Sequence, residues 1–526
     1  MDKKEKTGGA IARSGLVVSS MTLLSRIGGF VRDIFLSHLF GASQLADMFF
    51  VALRIPNFFR RMFAEGAFSQ AFVPVMMRYK DQGLLELRDF LSSLSGIFLL
   101  GLLAFTFLGL LFPEAITALF APGFLDKPSV FKETALLVRI TFPYLALISM
   151  TAYSASLLNA HGRFAIPAIT PIVLNICLIV AALLSTYLFL DYSSAFVLSC
   201  GVLVAGFLQL SLQLPLLVKL RLIPKPTLNT KHPGIRRVGA LFVPALFAAS
   251  VNQINTLVNT ILASTLITGS ISWLYYADRL LELPIGLVAV ALGTVLLPYL
   301  SSIAIEDDKA KYSAAIDWGV HLGLVLALPA ASALFALAIP LILVVFMSFG
   351  GAMSSDDALM AGSALKMFSF ALPAFVLIKV FSPAFFAKED TKTPFLCAIC
   401  AVVVNLVIGL STYRSMGHVG LAMATAFSSW TNALLLIVNL VRMDHYQPAV
   451  SLLSGLAKSL TATALLLLAW YYILPNEISW LNIDPLDRVF LLLVVIGLSV
   501  VSYAAFLAIL GVRFRRLIDP REESTS

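Results

Sequence analysis

Charge is what this 526-residue chain has least of: Asp, Glu, Lys and Arg make up 13% of it, against 59% hydrophobic residues. A water-soluble globular fold of this length could not hide so much apolar surface, and that class is excluded. Cysteine is scarce as well. All four, Cys177, Cys200, Cys397 and Cys400, fall in apolar runs. CAIC (397–400) has the spacing of a redox or zinc motif, but no second Cys or His pair lies nearby, so the thiols read as buried small hydrophobes. The six histidines are scattered, and Walker A, HExxH and GxSxG patterns are missing. Nucleotide hydrolysis and hydrolase chemistry therefore have no foothold, and no catalytic residue, metal ligand or cofactor is assigned. The basic start MDKKEKTGGAIARSG is not followed by a short apolar region with a small-residue cleavage site, so no cleaved signal peptide is expected.

What is present is a succession of apolar runs, such as IFLLGLLAFTFLGLLF (97–112) and ATALLLLAWYYIL (462–474), each suited to a helical membrane span. The spacing predicts an all-α polytopic membrane protein with about fourteen transmembrane helices, the first at 15–40 and the last at 487–512. The loops alternate in charge. One set holds Lys3, Lys4, Lys6, Arg13, Arg78, Lys80, Arg88, the run from Lys219 to Arg237, and the tail arginines from Arg513; the other holds only Lys127, Lys132, Arg414 and Arg488. The net charge of +8 is thus explained by topology without nucleic acid, and the positive-inside rule puts both termini in the cytoplasm.

The most polar connection, RLIPKPTLNTKHPGIRR (221–237), lies near the middle. Around it the prolines repeat: Pro56 with Pro284, Pro143 with Pro373, and Pro167 with Pro394, at offsets of 228, 230 and 227 residues. Near-constant offsets favour duplication of a six-span unit. Because each unit has an even number of spans, both copies share one orientation, giving two pseudo-symmetric six-helix lobes. The expected organisation is an N-lobe at 1–220, a basic cytoplasmic linker at 221–236, a C-lobe at 237–442, and a final part at 443–526 with two further helices and a basic tail. Two same-sense bundles around a cavity is the architecture of an alternating-access carrier.

Ionisable residues within spans are costly and usually face protein or water. In LSRIGGFVRD, Arg26 and Arg32 lie about 120° apart on an ideal helix, so a bend at Gly28 and Gly29 is needed to aim both at one cavity. The alternative is that the glycines allow close packing while Arg32 pairs with Asp33 or extends outward. In ALRIPNFFRRMFAEGAF, Pro56 predicts a bend one turn before Arg60. Asn57 and Arg60 have i,i+3 spacing, and Arg61 and Glu65 have i,i+4 spacing, which divides the charges into a cavity-facing Arg60 and a locally paired Arg61. Arg279 in SWLYYADRLLELP occupies the repeat-related span, with Glu282 one turn on as a local partner. Arginine clusters suit bidentate phosphate recognition, so the cargo is read as an anion bearing phosphate.

The stretches SSMTLLSRIGGFVRDIFLSHLFGASQLADMFFVALRIPNFFRRMFAEGAFSQAFVP (19–74), RFAIPAITPIVLN (163–175), GSISWLYYADRLLELPIGLVAVALGTVLLP (269–298) and DTKTP (390–394) resemble the MurJ (MviN) family of bacterial lipid II flippases, in the multidrug, oligosaccharidyl-lipid and polysaccharide exporter superfamily. The resemblance implies a bacterial inner-membrane carrier that moves the undecaprenyl-diphosphate-linked peptidoglycan precursor to the outer leaflet, with the last two spans forming a groove for its lipid tail. It implies substrate contacts at Arg26, Arg32, Arg60 and Arg279. Ser25, Asp47, Asn57 and Glu65 become supporting or gating residues, with Gly28, Gly29 and Pro56 as hinges. Expected partners are lipid II, membrane lipids and cell-wall synthesis proteins, around a monomer. Rival readings are an exporter of another lipid-linked oligosaccharide or of drugs, and a non-transporting scaffold for cell-wall synthesis.

Overall fold

Helix is the only regular structure in the described part of the computed structural model, which covers residues 2–62, 67–293, 296–306, 308–348, 350–477 and 479–512. This is what a bilayer demands, because a spanning segment must satisfy its backbone hydrogen bonds internally. Among the described residues nine helical segments are long and apolar enough to cross a membrane, or ten if one pair bent by 40° is counted as a single span. The chain is thus an all-α polytopic membrane protein. Its contacts divide it into two compact units, Met1–Gly269 and Ser270–Ser526.

The first unit contains α1 (Asp2–Phe40), α2 (Gln44–Arg60), α3 (Ala67–Gln82), α4 (Leu84–Leu111), α5 (Pro113–Phe120), α6 (Pro128–Thr141), α7 (Tyr144–Ala160), α8 (Ala165–Tyr187), α9 (Ser194–Lys219) and α10 (Pro233–Ser264). Starts are marked chemically: Ser43 accepts a hydrogen bond from the Ala46 N–H, Ser193 does the same for Phe196, and prolines open α5, α6 and α10. The exposed faces are apolar, as with Leu100, Leu103, Phe107 and Leu111 on α4, because lipid is their solvent.

A core of Phe68, Phe72, Phe90, Leu94, Tyr153 and Leu157 joins α3, α4 and α7, and it also takes in Leu222 and Val238. The basic connection is therefore docked. The Thr227 N–H donates to the Ser92 carbonyl at 3.0 Å, and a Cβ at Gly96 would lie 2.2 Å from the Thr227 carbonyl oxygen, so only glycine admits the segment so close to α4. Downstream of it, α10 packs on α3, α4 and α5 within the first unit. Packing thus divides the chain after Gly269, downstream of the division at 221–236 that the proline repeat suggests.

The second unit contains α11 (Ser270–Gly293), α12 (Leu296–Glu306), α13 (Lys309–Ala336), α14 (Ala338–Ile342), α15 (Ser355–Ser369), α16 (Ala371–Phe386), α17 (Lys392–Met416), α18 (His418–Arg442), α19 (Val450–Ile473) and α20 (Pro485–Ile509). Ser354 and Asp357 cap α15 reciprocally. Where α15 and α16 bend apart, the Phe370 carbonyl accepts from the Trp430 indole N–H at 2.8 Å. The loop between α18 and α19 is fixed to the start of α13 by Asp317, which accepts from the Tyr446 hydroxyl at 2.5 Å and from the Ala449 N–H at 3.1 Å.

Of the cysteines, Cys397 alone is buried; Cys400, one turn on, faces outward from α17, and Cys177 and Cys200 are half-buried. The expectation of four buried thiols is corrected. A residue on a spanning helix can be apolar for lipid rather than for a protein core.

Candidate functional site

Within the first unit α1 lies along α8, while α2 packs against α6, α7 and α9. α1 runs as unbroken helix through Gly28 and Gly29. Gly29 is buried, and a Cβ on Gly28 would stand in ordinary van der Waals contact with Asn175 of α8, 3.6 Å from Nδ2. Arg32 follows one turn later. Its Nε and Nη2 donate to Asp33 Oδ1 at 2.9 and 2.6 Å, and its Nη1 donates to Asn175 Oδ1 at 3.1 Å. The Arg32 side chain is 11% exposed and Asp33 is fully buried, which makes this a desolvated ion pair, held because each charge neutralises the other. Asn175 Nδ2 in turn donates to the Ser25 carbonyl at 3.0 Å. Arg26, by contrast, is exposed and has no hydrogen-bond or ion-pair partner among the described residues.

Pro56 leaves a specific deficit in α2. It has no N–H to offer the Ala52 carbonyl four residues back, and the Thr141 hydroxyl, at the end of α6, donates to that oxygen at 3.0 Å instead. A side chain from a neighbouring helix thus repairs the broken ladder, as membrane helices require. α2 continues past Pro56 to Arg60, whose Nε donates to Asn57 Oδ1 at 3.3 Å. Between those residues Phe58 and Phe59 pack edge-on against Phe120 and Phe105, so the polar pair stands on an aromatic base. Arg61 is exposed, and its i+4 partner Glu65 lies outside the described residues. The Tyr144 hydroxyl, at the start of α7, donates to Gln209 Oε1 at 3.3 Å.

Two further charges in this unit have tertiary partners. The Asp47 carboxylate, 3% exposed, accepts from the Gly269 N–H at 2.7 Å, which ties the start of α2 to the segment after α10. Arg54 Nη1 donates to the Thr260 hydroxyl at 2.7 Å and joins α2 to α10. Elsewhere in this unit an open groove of about 500 Å³ is lined by Arg78, Tyr79, Gln82, Pro233, Arg236 and Arg237. In the second unit, Arg279 Nη1 donates to Glu282 Oε2 at 2.7 Å, with the two side chains 24% and 44% exposed.

The structure joins Ser25 to Arg32 through Asn175, and Asn57 to Arg60, and it adds Asn175 and Thr141, which the sequence did not single out. Asn175 had a signal, being an amide inside an apolar span. Thr141 had half of one: Pro56 guarantees an unpaired carbonyl without saying who answers it. No group of three or more His, Cys, Asp or Glu able to hold a metal ion occurs among the described residues.

Comparison with known proteins is extensive. A family model described as "Lipid II flippase MurJ" matches residues 36–484. The chain is 40% identical over 516 residues to a probable lipid II flippase MurJ of Vibrio cholerae, covering 96% of this chain and 97% of that one. It is 36% identical over 510 residues to the lipid II flippase MurJ of Burkholderia cenocepacia, covering 95% and 98%. Among solved structures, a lipid II flippase MurJ in an inward closed conformation superposes with a TM-score of 0.81 at 29% identity, covering 96% of this chain and 100% of that one. A multidrug resistance transporter of the MATE family in its inward-facing conformation shares the fold, with a TM-score of 0.64 at 12% identity over 82% of this chain and 98% of that one.

Proposed function

Because the chain belongs to the MurJ lipid II flippase family, we propose that its arginines form the diphosphate-binding part of a lipid II carrier. The protein is a transporter of the peptidoglycan precursor in the inner membrane and not an enzyme. In the proposed mechanism Arg26, Arg32, Arg60 and Arg279 engage the cargo diphosphate on the cytoplasmic side. Two lobes of six spans then alternate access, and the prenyl chain stays in lipid beside the last two of fourteen spans. The termini are cytoplasmic, and the unit of transport is a monomer that meets cell-wall synthesis proteins. Asn57 supports Arg60, Asp47 and Glu65 act as gating carboxylates, and Gly28, Gly29 and Pro56 provide the compliance.

One observation carries the reading: two arginines within spans of the first unit, Arg32 and Arg60, each donate to a side-chain amide oxygen, Arg32 to Asn175 and Arg60 to Asn57. An arginine within a span is costly, and a phosphate-bearing anion is the cargo that recovers this cost. A pyrophosphate bridge, with two negative phosphates and bidentate geometry, meets that requirement. The test is leaflet accessibility of lipid II in cells depleted of their flippase and complemented with variants. Arg26→Ala, Arg32→Ala, Arg60→Ala and Arg279→Ala should each leave lipid II inaccessible from outside at normal expression. Full rescue by Arg32→Ala together with Arg60→Ala would remove the diphosphate reading.

A further inference from the structure

We propose that Asn175 is a positioning residue for cargo binding, an amide on α8 that sets the direction in which Arg32 presents its guanidinium. The inference rests on the reading of Arg32 as a cargo contact and adds a residue outside the arginine set.

Asn175 is 5% exposed and makes one bond from each end of its amide: Oδ1 accepts from Arg32 Nη1 at 3.1 Å, and Nδ2 donates to the Ser25 carbonyl at 3.0 Å. The partners dictate this orientation. A guanidinium can only donate and a carbonyl can only accept, so the flipped amide would set donor against donor and acceptor against acceptor. Asparagine thus reads two groups of opposite polarity on α1 that lie seven residues apart, on either side of Gly28 and Gly29. Gly28 lies between them, and a Cβ there would stand in ordinary contact with Asn175, 3.6 Å from Nδ2.

Arginine has a long stem, and Asp33 holds the Nε edge of Arg32 through a single oxygen. The Asn175 contact to Nη1 holds the opposite edge, which orients the guanidinium plane. Orientation is what a bidentate phosphate contact depends on, because two parallel N–H bonds must reach one phosphate together.

The experiment is binding of lipid II to the purified full-length protein in nanodiscs. It compares Asn175→Leu and Asn175→Asp with the native chain, each also in an Arg32→Ala background. Leucine removes both bonds at similar volume; aspartate keeps an acceptor for Arg32 and loses the donor to Ser25. Asn175→Leu should raise the Kd about tenfold, the factor carried by one hydrogen bond to a charged group. Asn175→Asp should stay within about threefold of native, and either change should have no further effect once Arg32 is alanine. A purely structural role for Asn175 predicts the opposite: equal losses with leucine and aspartate, persisting without Arg32. Either that pattern or native affinity in Asn175→Leu overturns the proposal while leaving Arg32 as a contact. Native affinity in Arg32→Ala alone overturns the underlying reading instead.

Discussion

Removing the carboxylate of Asp317 should free the loop between α18 and α19 while leaving the rest of the second unit folded. Asp317 is 5% exposed and accepts from the Tyr446 hydroxyl, itself 1% exposed, and from the Ala449 N–H. The Gln447 N–H adds a bond to the Ser313 hydroxyl at 3.1 Å beside it. Each hydrogen bond to a charged acceptor contributes about 1.5–3 kcal/mol, and Asp317→Ala strands two buried donors, so about 3–5 kcal/mol of local stability should be lost. At 1.4 kcal/mol per factor of ten, amide exchange across 445–450 should accelerate by roughly 100-fold or more. Hydrogen exchange with mass spectrometry on the full chain in nanodiscs reads this segment directly. Tyr446→Phe should give a smaller acceleration, and the double variant less than the sum of the two. Acceleration below about threefold in Asp317→Ala, or equal acceleration throughout α15–α18, would refute the clasp.

The same loop should respond to acid. Burial, with Lys388 next, holds the His445 imidazole below its ordinary value, 6.5, so the fold keeps it neutral. The unfolded loop binds the proton more readily, so this stabilisation is present above about pH 6.5 and is lost as pH falls through the lower folded value. Exchange across 443–449, corrected for intrinsic rate, should quicken between pH 7.5 and 5.5, and His445→Gln should flatten that change; an opening free energy equal at both pH values in the native chain contradicts it. In the first unit, Gly96→Ala would drive a Cβ into the Thr227 carbonyl. The expected cost is about 1–3 kcal/mol with the basic connection lifted from α4, read as faster proteolysis within 221–232; an unchanged cleavage rate counts against the docked segment.

What the sequence revealed and what it hid follow from the range of each interaction. Spans read well because twenty apolar residues have few other uses, and α4, α8, α9, α17 and α20 fall where hydropathy puts them. Pairs one helical turn apart read equally well: Asn57 with Arg60 and Arg279 with Glu282 follow from spacing alone. Breaks are harder: Pro373 marks the region of the bend at Phe370, but the indole of Trp430 that bonds the Phe370 carbonyl comes from 60 residues away. Asp47 looks like a membrane charge seeking an arginine, yet its carboxylate caps a backbone N–H 222 residues on. Arg54 bonds to a threonine hydroxyl that only α10 can supply. Such partners are set by which helices touch, and hydropathy carries almost none of that information.

The local partners of the arginines bear on how a carrier can run in both loaded and empty states. A guanidinium left without an anion inside a membrane is expensive, so the empty protein must supply substitutes. It does so unequally. Asp33 is fully buried against Arg32, whereas Glu282 is 44% exposed against Arg279. Water competes more at the second pair than at the first, so in the proposed mechanism the incoming diphosphate displaces Glu282 more readily than Asp33. In the proposed mechanism Arg32 is consequently a fixed donor, aimed by Asp33 and Asn175, and Arg279 an exchangeable one that returns to Glu282 when the cargo leaves. Graded pairing of this kind keeps binding from becoming irreversible: a site of wholly unpaired arginines would hold a diphosphate too tightly to release it, and one of wholly buried ion pairs would never open to receive it.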